Sequence, residues 1–542
     1  MRRRSIIWIA VAAVLAVVAA GSSAAATGSF GSAKQTRVLR LSIGAEPPSL
    51  DPGLATDTTS ASILINILDP LIRLGPSPDL KPLPSAASSW KVKGTVVTLN
   101  LNPAVRWTTG EPVTAQDYVW SWLRTISPEL GADYAYQFFG IKGAQAYNSC
   151  DPKKQNCNAL RSRVGVKAVG KYTLRITLSS PQPWFIQQLS HSSFLPVYKP
   201  SVDKWGDKFT EASHFVGDGA FLLSSWKHDA SVTLVKNPNW RLASKVKLDR
   251  VEMPIITDGN TAANAFDANN IDIDYSGVPP ELIPKYKKTP AWHVDPSLGT
   301  YYYGFNVKNI TDVNQRRAMA FAIDRSSIIK YITQAGQVPA RGFTPRSIAG
   351  GTTIDKHAIL PPTSQKAKAK AYMAKVKDPK KDIHLYVNNA PGHTNIATAI
   401  QAYWQRDLGL NVSTKVLEWK QFLEFLGPPP NTDVDVYRNG WIYDFPDAYN
   451  GLSLFTCDSG NNNTNWCNKQ FDSLVAKAAK TADFDRRVLI YQKAEDLLDG
   501  PKGDMPIMPI YWYTFVHLDR KNVKGFLIEP TGNFDLTKVS VT

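Results

Sequence analysis

Asp444 and Asp447 stand three residues apart in a run dense with rings, Asn439-Gly-Trp-Ile-Tyr-Asp444-Phe445. Two carboxyls can act as acid and base on a glycosidic bond, but i,i+3 neighbours do not obviously straddle one from opposite sides. An ionised carboxylate in so apolar a run needs a cation or a water-filled cavity. Rings also gather at Tyr301-Tyr302-Tyr303 and Trp419. Rings supply contact area and a single charge fixes one end of a ligand, although many such rings serve as core. Other catalytic patterns fail on context. Gly165 to Lys171 has phosphate-loop spacing, yet Tyr172 replaces the metal-reaching hydroxyl and a strand pattern follows where a helix is required. No G-x-S-x-G or H-E-x-x-H occurs. An enzyme is the weaker class.

The four cysteines form two sequence-local pairs, Cys150 with Cys157 and Cys457 with Cys467. They lack the C-x-x-C and H-x-x-x-H spacings of metal sites, so local disulfides are expected over metal ligation or free thiols. That expectation rests on export. Arg2-Arg3-Arg4, an apolar run from Ile6 to Ala20 and the small-residue site Ala24-Ala25-Ala26 make residues 1–26 a signal peptide. An uncleaved anchor is the alternative, though the run falls short of the roughly 20 residues that span a bilayer.

The chain has 542 residues, a net charge of +16 and 43% apolar residues, which excludes a disordered tail and a polytopic membrane protein. Its densest basic stretch, Lys366 to Lys381, alternates lysine with Ala, Tyr372 and Met373. That reads as a solvated helix face over a small apolar seam, and a nucleic-acid patch would also want arginine and interleaved aromatics.

The elements that must position these residues are mixed. Val38–Ile43, Val96–Leu101 and Thr173–Leu178 alternate as strands. Thr114–Ile126, Val313–Thr333, Thr394–Leu408, Phe471–Lys480 and Asp485–Leu498 have helical spacing, with Thr114 a candidate N-cap. Proline-rich joints fall at 76–84, 279–284 and 428–430. The fold class is α/β in several lobes.

Ordered landmarks then carry a resemblance. They are Leu50-Asp51-Pro52, Trp107-Thr-Thr-Gly-Glu-Pro-Val-Thr-Ala-Gln-Asp117, Gly217-Asp-Gly-Ala-Phe221, Lys236-Asn-Pro-Asn-Trp240, Thr300-Tyr-Tyr-Tyr303, Asp324-Arg325 and Gly440-Trp-Ile-Tyr-Asp444. From about Val38 onward the chain resembles the extracytoplasmic oligopeptide-binding proteins of bacterial ABC importers, solute-binding family 5. The resemblance implies a type 2 periplasmic-binding fold of three lobes with a hinged ligand cleft. Lobe I would be 37–69, 195–299 and 510–542, lobe II 70–194 and lobe III 300–509. It implies an extended peptide ligand, ABC permease subunits as partners and as the route to the membrane, a monomer outside the cytoplasm, and no cofactor, metal or nucleic acid.

The resemblance also implies roles. Asp444 would pair with the peptide α-ammonium, beside Gly440, Trp441 and Tyr443 on the ligand strand. Thr56 to Thr58 would offer backbone groups, and Tyr134 would close over the peptide. Arg438 and His393 would meet the carboxylate of ligands of particular length, while Trp419, Tyr275 and Tyr302 would line pockets. A surface-loop His393 and a structurally paired Arg438 are the alternatives. The chain departs from some members in having Gly299 and Ile442 at a cysteine pair's positions and no lysine at Thr333, with Lys330 one turn away. The same fold carrying an oligosaccharide, opine or metal chelate, or a secreted hydrolase, stays open.

Overall fold

The fold begins from a few strongly specified local contacts. The Asp117 carboxylate accepts the Thr114 N–H at 2.7 Å, starting a helix at Ala115–Thr125 whose buried face carries Tyr118, Val119 and Trp122. The Trp122 indole donates to the Phe194 carbonyl at 3.0 Å and its ring packs edge-on against Phe138. That helix therefore fixes the turn 133–138, which lines a cavity described below. From its last turn Arg124 pairs with the buried Asp51 at 2.7 Å, which is what the Leu50-Asp51-Pro52 landmark is for in this molecule.

The computed structural model describes residues 36–542 apart from 77–79, 390, 418 and 427–431, and the side chains of 391, 419, 420, 423 and 424 also lie outside that description. The signal segment 1–26 and the joint at 428–430 are outside the described residues. Residues 37–542 form one compact unit. Among the described residues no helix is long and apolar enough to cross a membrane.

A large sheet runs through this unit. Its strand order is 411–417, 382–388, 436–442, 292–305, 507–519, 273–274, 38–42, 250–254, 231–236 and 221–227, with 338–339 paired onto 507–519. The long antiparallel pair Trp292–Phe305 and Ile507–Asp519 joins the two halves of the sheet, and its register slips between Pro296 and Thr300. A separate four-stranded antiparallel sheet is built from 87–93, 96–101, 173–177 and 166–170. The Gly165–Tyr172 stretch thus lies in a hairpin, with no helix N-terminus for a phosphate.

Five apolar cores form among the described residues, and three of them are large. The first joins Leu39, Leu41, Tyr118 and Trp122 to Phe534 and Leu536. The second lies under Tyr301, Tyr303 and Trp404, and the third around Tyr302, Phe343, Phe455 and Tyr491.

Strand Val96–Leu101 falls where its alternation predicts, and 38–42 and 173–177 end one residue early. Helices 391–408, 469–479 and 484–498 cover their expected segments with shifted ends. The stretch Val313–Thr333 differs. It is a helix over Val313–Ala322, a break, a short helix Arg325–Ile328 and a π turn over 329–333. Asp324 caps the Ser327 N–H at 2.8 Å, which competes with continuing the first helix. The wholly buried Arg325 then donates to the Ala320 and Pro509 carbonyls at 3.2 and 2.8 Å, and so satisfies the interrupted helix end. In the lysine-rich stretch Lys366–Met373 is a helix with exposed lysines and Ala369 buried beneath. Both local cysteine pairs are bridged, Cys150 to Cys157 and Cys457 to Cys467.

Candidate functional site

Strand Val436–Ile442 leads directly to Asp444. The short helix Ala448–Leu452 that follows is capped by Asp447, whose carboxylate accepts from the Tyr449 N–H at 2.9 Å. Asp447 is also held by Arg487 at 3.2 Å and the Tyr491 hydroxyl at 2.7 Å, all three buried. It is a structural anchor, and its neighbour three residues back has a different environment. Asn450, presented by that helix, donates to Asp444 Oδ2 at 3.1 Å. The Asn450 amide oxygen accepts the Trp441 indole N–H at 2.7 Å and the Asp444 N–H at 3.3 Å. The Tyr136 hydroxyl donates to Asp444 Oδ2 at 3.4 Å across the cleft. Among the described residues no lysine or arginine forms an ion pair with Asp444. Burial raises its pKa, and the neutral donors Asn450, Tyr136 and Gln137 only partly oppose that.

Asp444 stands between two cavities. The larger, about 480 Å³, has Tyr136, Gln188, Trp184, Trp441 and Tyr449 among its walls. The smaller, about 190 Å³, runs past Thr56, Asp57, Thr58, Tyr134, Ile442 and Tyr443. The two share Asp444. Residues from 55–61, from 134–140 with 182–192, and from 441–461 thus meet at one carboxylate. At the smaller cavity Tyr134 packs on the half-buried His191, whose pKa desolvation lowers to about 4.

Six residues back along the chain lies the opposite charge. Arg438 stacks 4.8 Å over the Tyr301 ring and donates to the Tyr513 hydroxyl at 3.3 Å, while its Nε is buried without a hydrogen-bond partner. No carboxylate pairs with it among the described residues. Burial opposes its charge, and the Tyr513 and Tyr301 oxygens outweigh that, so its pKa stands above the ordinary arginine value. His393 meets the Tyr301 hydroxyl at 3.3 Å, and burial, aided by Arg438, lowers its pKa to about 4. Neutral His393 and cationic Arg438 therefore share one ring.

Strand 436–442 pairs along its whole length with 292–305, but with 382–388 only at Val436 and Tyr437. Among the described residues the second edge of 438–442 has no strand partner. The Gly440 N–H is taken by the Asn439 side-chain oxygen at 2.8 Å. A β-carbon at Gly440 would collide with the Tyr513 hydroxyl, which fixes glycine there.

The other expected site residues are divided between these walls and the cores. Tyr443 is buried in the third core, contributes to the wall of the smaller cavity, and leaves its hydroxyl unpaired. Tyr275 donates to the Gly532 carbonyl at 2.9 Å and packs on Phe534, outside both cavity walls. Tyr302 is 2% exposed and packs on Phe343 and Phe455 in the third core. Trp419 opens a helix over Trp419–Leu426, and its side chain lies outside the described residues. Sequence reading missed Tyr136, Gln137, Trp184, His191 and Asn450. Only Asn450 carried a local signal, being three residues beyond a capping aspartate.

Comparison with known proteins gives the context. The oligopeptide-binding protein OppA of Bacillus subtilis is 32% identical over 553 residues, covering 98% of each chain. Among solved structures, the unliganded open form of the periplasmic murein tripeptide-binding protein MppA superimposes with TM-score 0.79 at 27% identity, covering 94% of this chain and 98% of that one. The Haemophilus influenzae OppA complex with RPPGFSPFR gives 0.72 at 26% identity, covering 94% and 99%. The fold is that of the periplasmic peptide-binding structures. The family description "Bacterial extracellular solute-binding proteins, family 5 Middle" matches residues 81–463, and the chain belongs to that family.

Proposed function

We propose that this protein is an extracytoplasmic receptor that captures oligopeptides in a closing cleft and delivers them to an ABC import permease, without catalysis. The observation that carries the reading is a pair of half-buried charges of opposite sign, unmatched among the described residues, on one stretch of chain. Among the described residues Asp444 has no cation and Arg438 no carboxylate, and a zwitterionic chain of a few residues supplies both. Six positions of extended backbone span at most roughly 20 Å, with the arginine side chain shortening the gap. The unpaired edge of 438–442 suits main-chain bonding to an extended ligand, which is indifferent to side-chain identity.

In this reading 37–69, 195–299 and 510–542 form lobe I, 70–194 form lobe II and 300–509 form lobe III. Lobe II brings Tyr134 and Tyr136, lobe III brings Asp444 and Arg438, and lobe I brings Thr56 and Thr58. A ligand bound among them draws the lobes together. A neutral oligosaccharide would leave both charges unmatched. A hydrolase would need a base beside its nucleophile, and the groups on Asp444 are neutral donors.

Native mass spectrometry of the protein as purified tests this. A spread of peptide masses supports the reading. A single non-peptide mass, or recovered peptides that have been cut, counts against it.

A further inference from the structure

The two cavities beside Asp444 differ in size and in chemistry, and one wall of the larger is a loop closed by a disulfide. We propose that the larger cavity receives the side chain of the ligand's first residue, that it favours a large uncharged side chain, and that the Cys457–Cys467 bridge sets this preference by holding the wall. The inference rests on the peptide reading above and adds the side-chain class to it.

Size separates the two spaces. The cavity of about 190 Å³ follows Ile442 and Tyr443, where the ligand backbone would run, and the one of about 480 Å³ opens on the other side of the same carboxylate. With the α-ammonium at Asp444, the first side chain turns into the larger space. Among the described residues no lysine or arginine lines that space, and Asp444 is the one formal charge in its wall. Once the amine neutralises Asp444, a charged side chain of either sign meets only neutral amides, hydroxyls and rings. It loses hydration without gaining an ionic partner. A large neutral side chain meets aromatic surface instead. Trp184 stacks on Tyr449 with centroids 4.3 Å apart and on Phe445 at 5.8 Å, a platform that gives extensive contact to another ring.

The opposite wall includes Ser459 and Asn461, inside the loop that Cys457 and Cys467 close. The later half of this loop is tied to the body. The Val307 N–H donates to the Thr464 carbonyl at 2.9 Å, Asn465 reaches Asn306 at 3.0 Å, and the Trp466 indole reaches Asp504 at 2.9 Å. The half that faces the cavity is tied to the body at its start, where the Cys457 N–H donates to Asp472 at 3.1 Å, and beyond that by local turns, Ser459 N–H to Thr456 at 3.1 Å and Asn462 N–H to Ser459 at 3.1 Å. The Asn462 side chain and the disulfide connect the two halves. Opening the bridge therefore loosens the cavity-facing half first. Cys150–Cys157 contributes no residue to either cavity.

The test is calorimetry with Phe-Ala-Ala, Ala-Ala-Ala and Asp-Ala-Ala on the oxidised protein, on Cys457→Ser/Cys467→Ser and on Cys150→Ser/Cys157→Ser. The wild type and the 150/157 variant are expected to prefer Phe-Ala-Ala to Asp-Ala-Ala by about tenfold or more, and the 457/467 variant by about threefold or less. Ser459→Trp, which keeps the bridge and fills the space, is expected to weaken Phe-Ala-Ala by about tenfold and Ala-Ala-Ala by about threefold at most. It also decides the matter if the 457/467 variant does not fold. Equal affinities of the wild type for the three peptides, an unchanged preference in the 457/467 variant, or a Ser459→Trp protein weakened equally toward both peptides would overturn the proposal. Failure of every free-amine peptide to bind would overturn the peptide reading itself, a different outcome from binding without first-residue discrimination.

Discussion

Asn450 holds Asp444 from both ends, its amide nitrogen 3.1 Å from the carboxylate and its amide oxygen 3.3 Å from the backbone N–H. The same oxygen takes the Trp441 indole at 2.7 Å, so one amide sets the orientation of both the charge and the ring beside it. Asn450→Ala is expected to weaken tripeptide binding by about three- to tenfold through misplacement of Asp444. Asn450→Asp sets a second carboxyl beside Asp444, which raises its pKa further and moves the acid limb of binding to higher pH. Titration calorimetry across pH reads both effects.

Removing the carboxylate costs more. Stranding one partner of a desolvated charge pair costs roughly 2–5 kcal/mol, so Asp444→Ala should weaken tri- and tetrapeptides by about 30- to several thousand-fold. Asp444→Asn should lie between. N-acetylated peptides should bind the wild type poorly and the Ala variant almost as well as free ones. A double-mutant cycle over the two peptide forms measures the coupling, and a value near zero would show that Asp444 does not read the amine.

The pH dependence of binding follows from the same group. Burial raises the Asp444 pKa in the free protein, and an ammonium ligand favours the ionised form. Affinity is therefore full well above the raised pKa and falls as pH drops through it, starting at a higher pH than an exposed aspartate would dictate. Near that pKa, binding should release a proton. Calorimetry in buffers of different ionisation enthalpy detects the release, and proton uptake would contradict it.

Arg438→Met separates binding from stability. The guanidinium has a buried, unpaired Nε and, among the described residues, no carboxylate, so replacing it with an apolar side chain should raise the thermal midpoint of the ligand-free protein. The same change should weaken peptides of one length by about tenfold or more and leave other lengths less affected, because a fixed cation reaches only some C-termini. Neutral His393 cannot take over the charge at pH 7. Scanning fluorimetry and a peptide-length series provide the two readings.

A carboxyl cluster behind Tyr443 makes stability fall as pH rises. Glu495 accepts from the Thr344 N–H at 3.0 Å and from its hydroxyl. Asp355 is held by Arg346 at 2.7 Å, and both oxygens of the buried Asp499 lack hydrogen-bond partners. A β-carbon on Gly342 would lie 2.6 Å from Glu495 and 3.1 Å from Asp355, so these two carboxyls flank the same glycine. Burial raises all three pKa values, that of Glu495 to about 7. An acid whose folded pKa is raised stabilises fully below its unfolded pKa and loses that stabilisation as pH rises to the folded value. For Glu495 the window runs from about 4.5 to about 7. Glu495→Gln should add on the order of 2–3 kcal/mol above pH 7 and flatten the curve. Denaturant unfolding at pH 5 and pH 8 checks the sign, and an equal effect at both would contradict it.

Much of this arrangement was legible in residue order, because local rules govern it. The alternation of 96–101, the cap at Thr114 and the charged, ring-rich run to Asp444 each announce themselves within a dozen residues. What residue order concealed depends on distant segments meeting. Tyr136 and Trp184 reach Asp444 only because the helix 115–125 and its neighbours carry them across the cleft. Tyr302 looked like a pocket ring. Successive strand residues face opposite ways, so Tyr301 meets Arg438 while Tyr302 points into the third core. The break at Asp324 was hidden because an apolar period continues straight through it.

The first core also bears on how the chain folds as it is made. The Asn66 side chain donates to the Phe534 carbonyl at 2.9 Å and accepts the Leu536 N–H at 2.9 Å, contacts that span 468 and 470 residues. Leu39 and Leu41 share their core with Phe534 and Leu536. In vectorial synthesis the earliest strand must wait for nearly the last residues before its surroundings are complete. Contacts of such separation slow folding, since loop closure precedes its reward. The half built on residues 38–67 is therefore expected to complete its packing last, while the core of 301–436 needs only residues 505–511 to close. A nascent chain halted before residue 530 keeps that early half unfinished, a state in which a protein can still be threaded through a narrow channel.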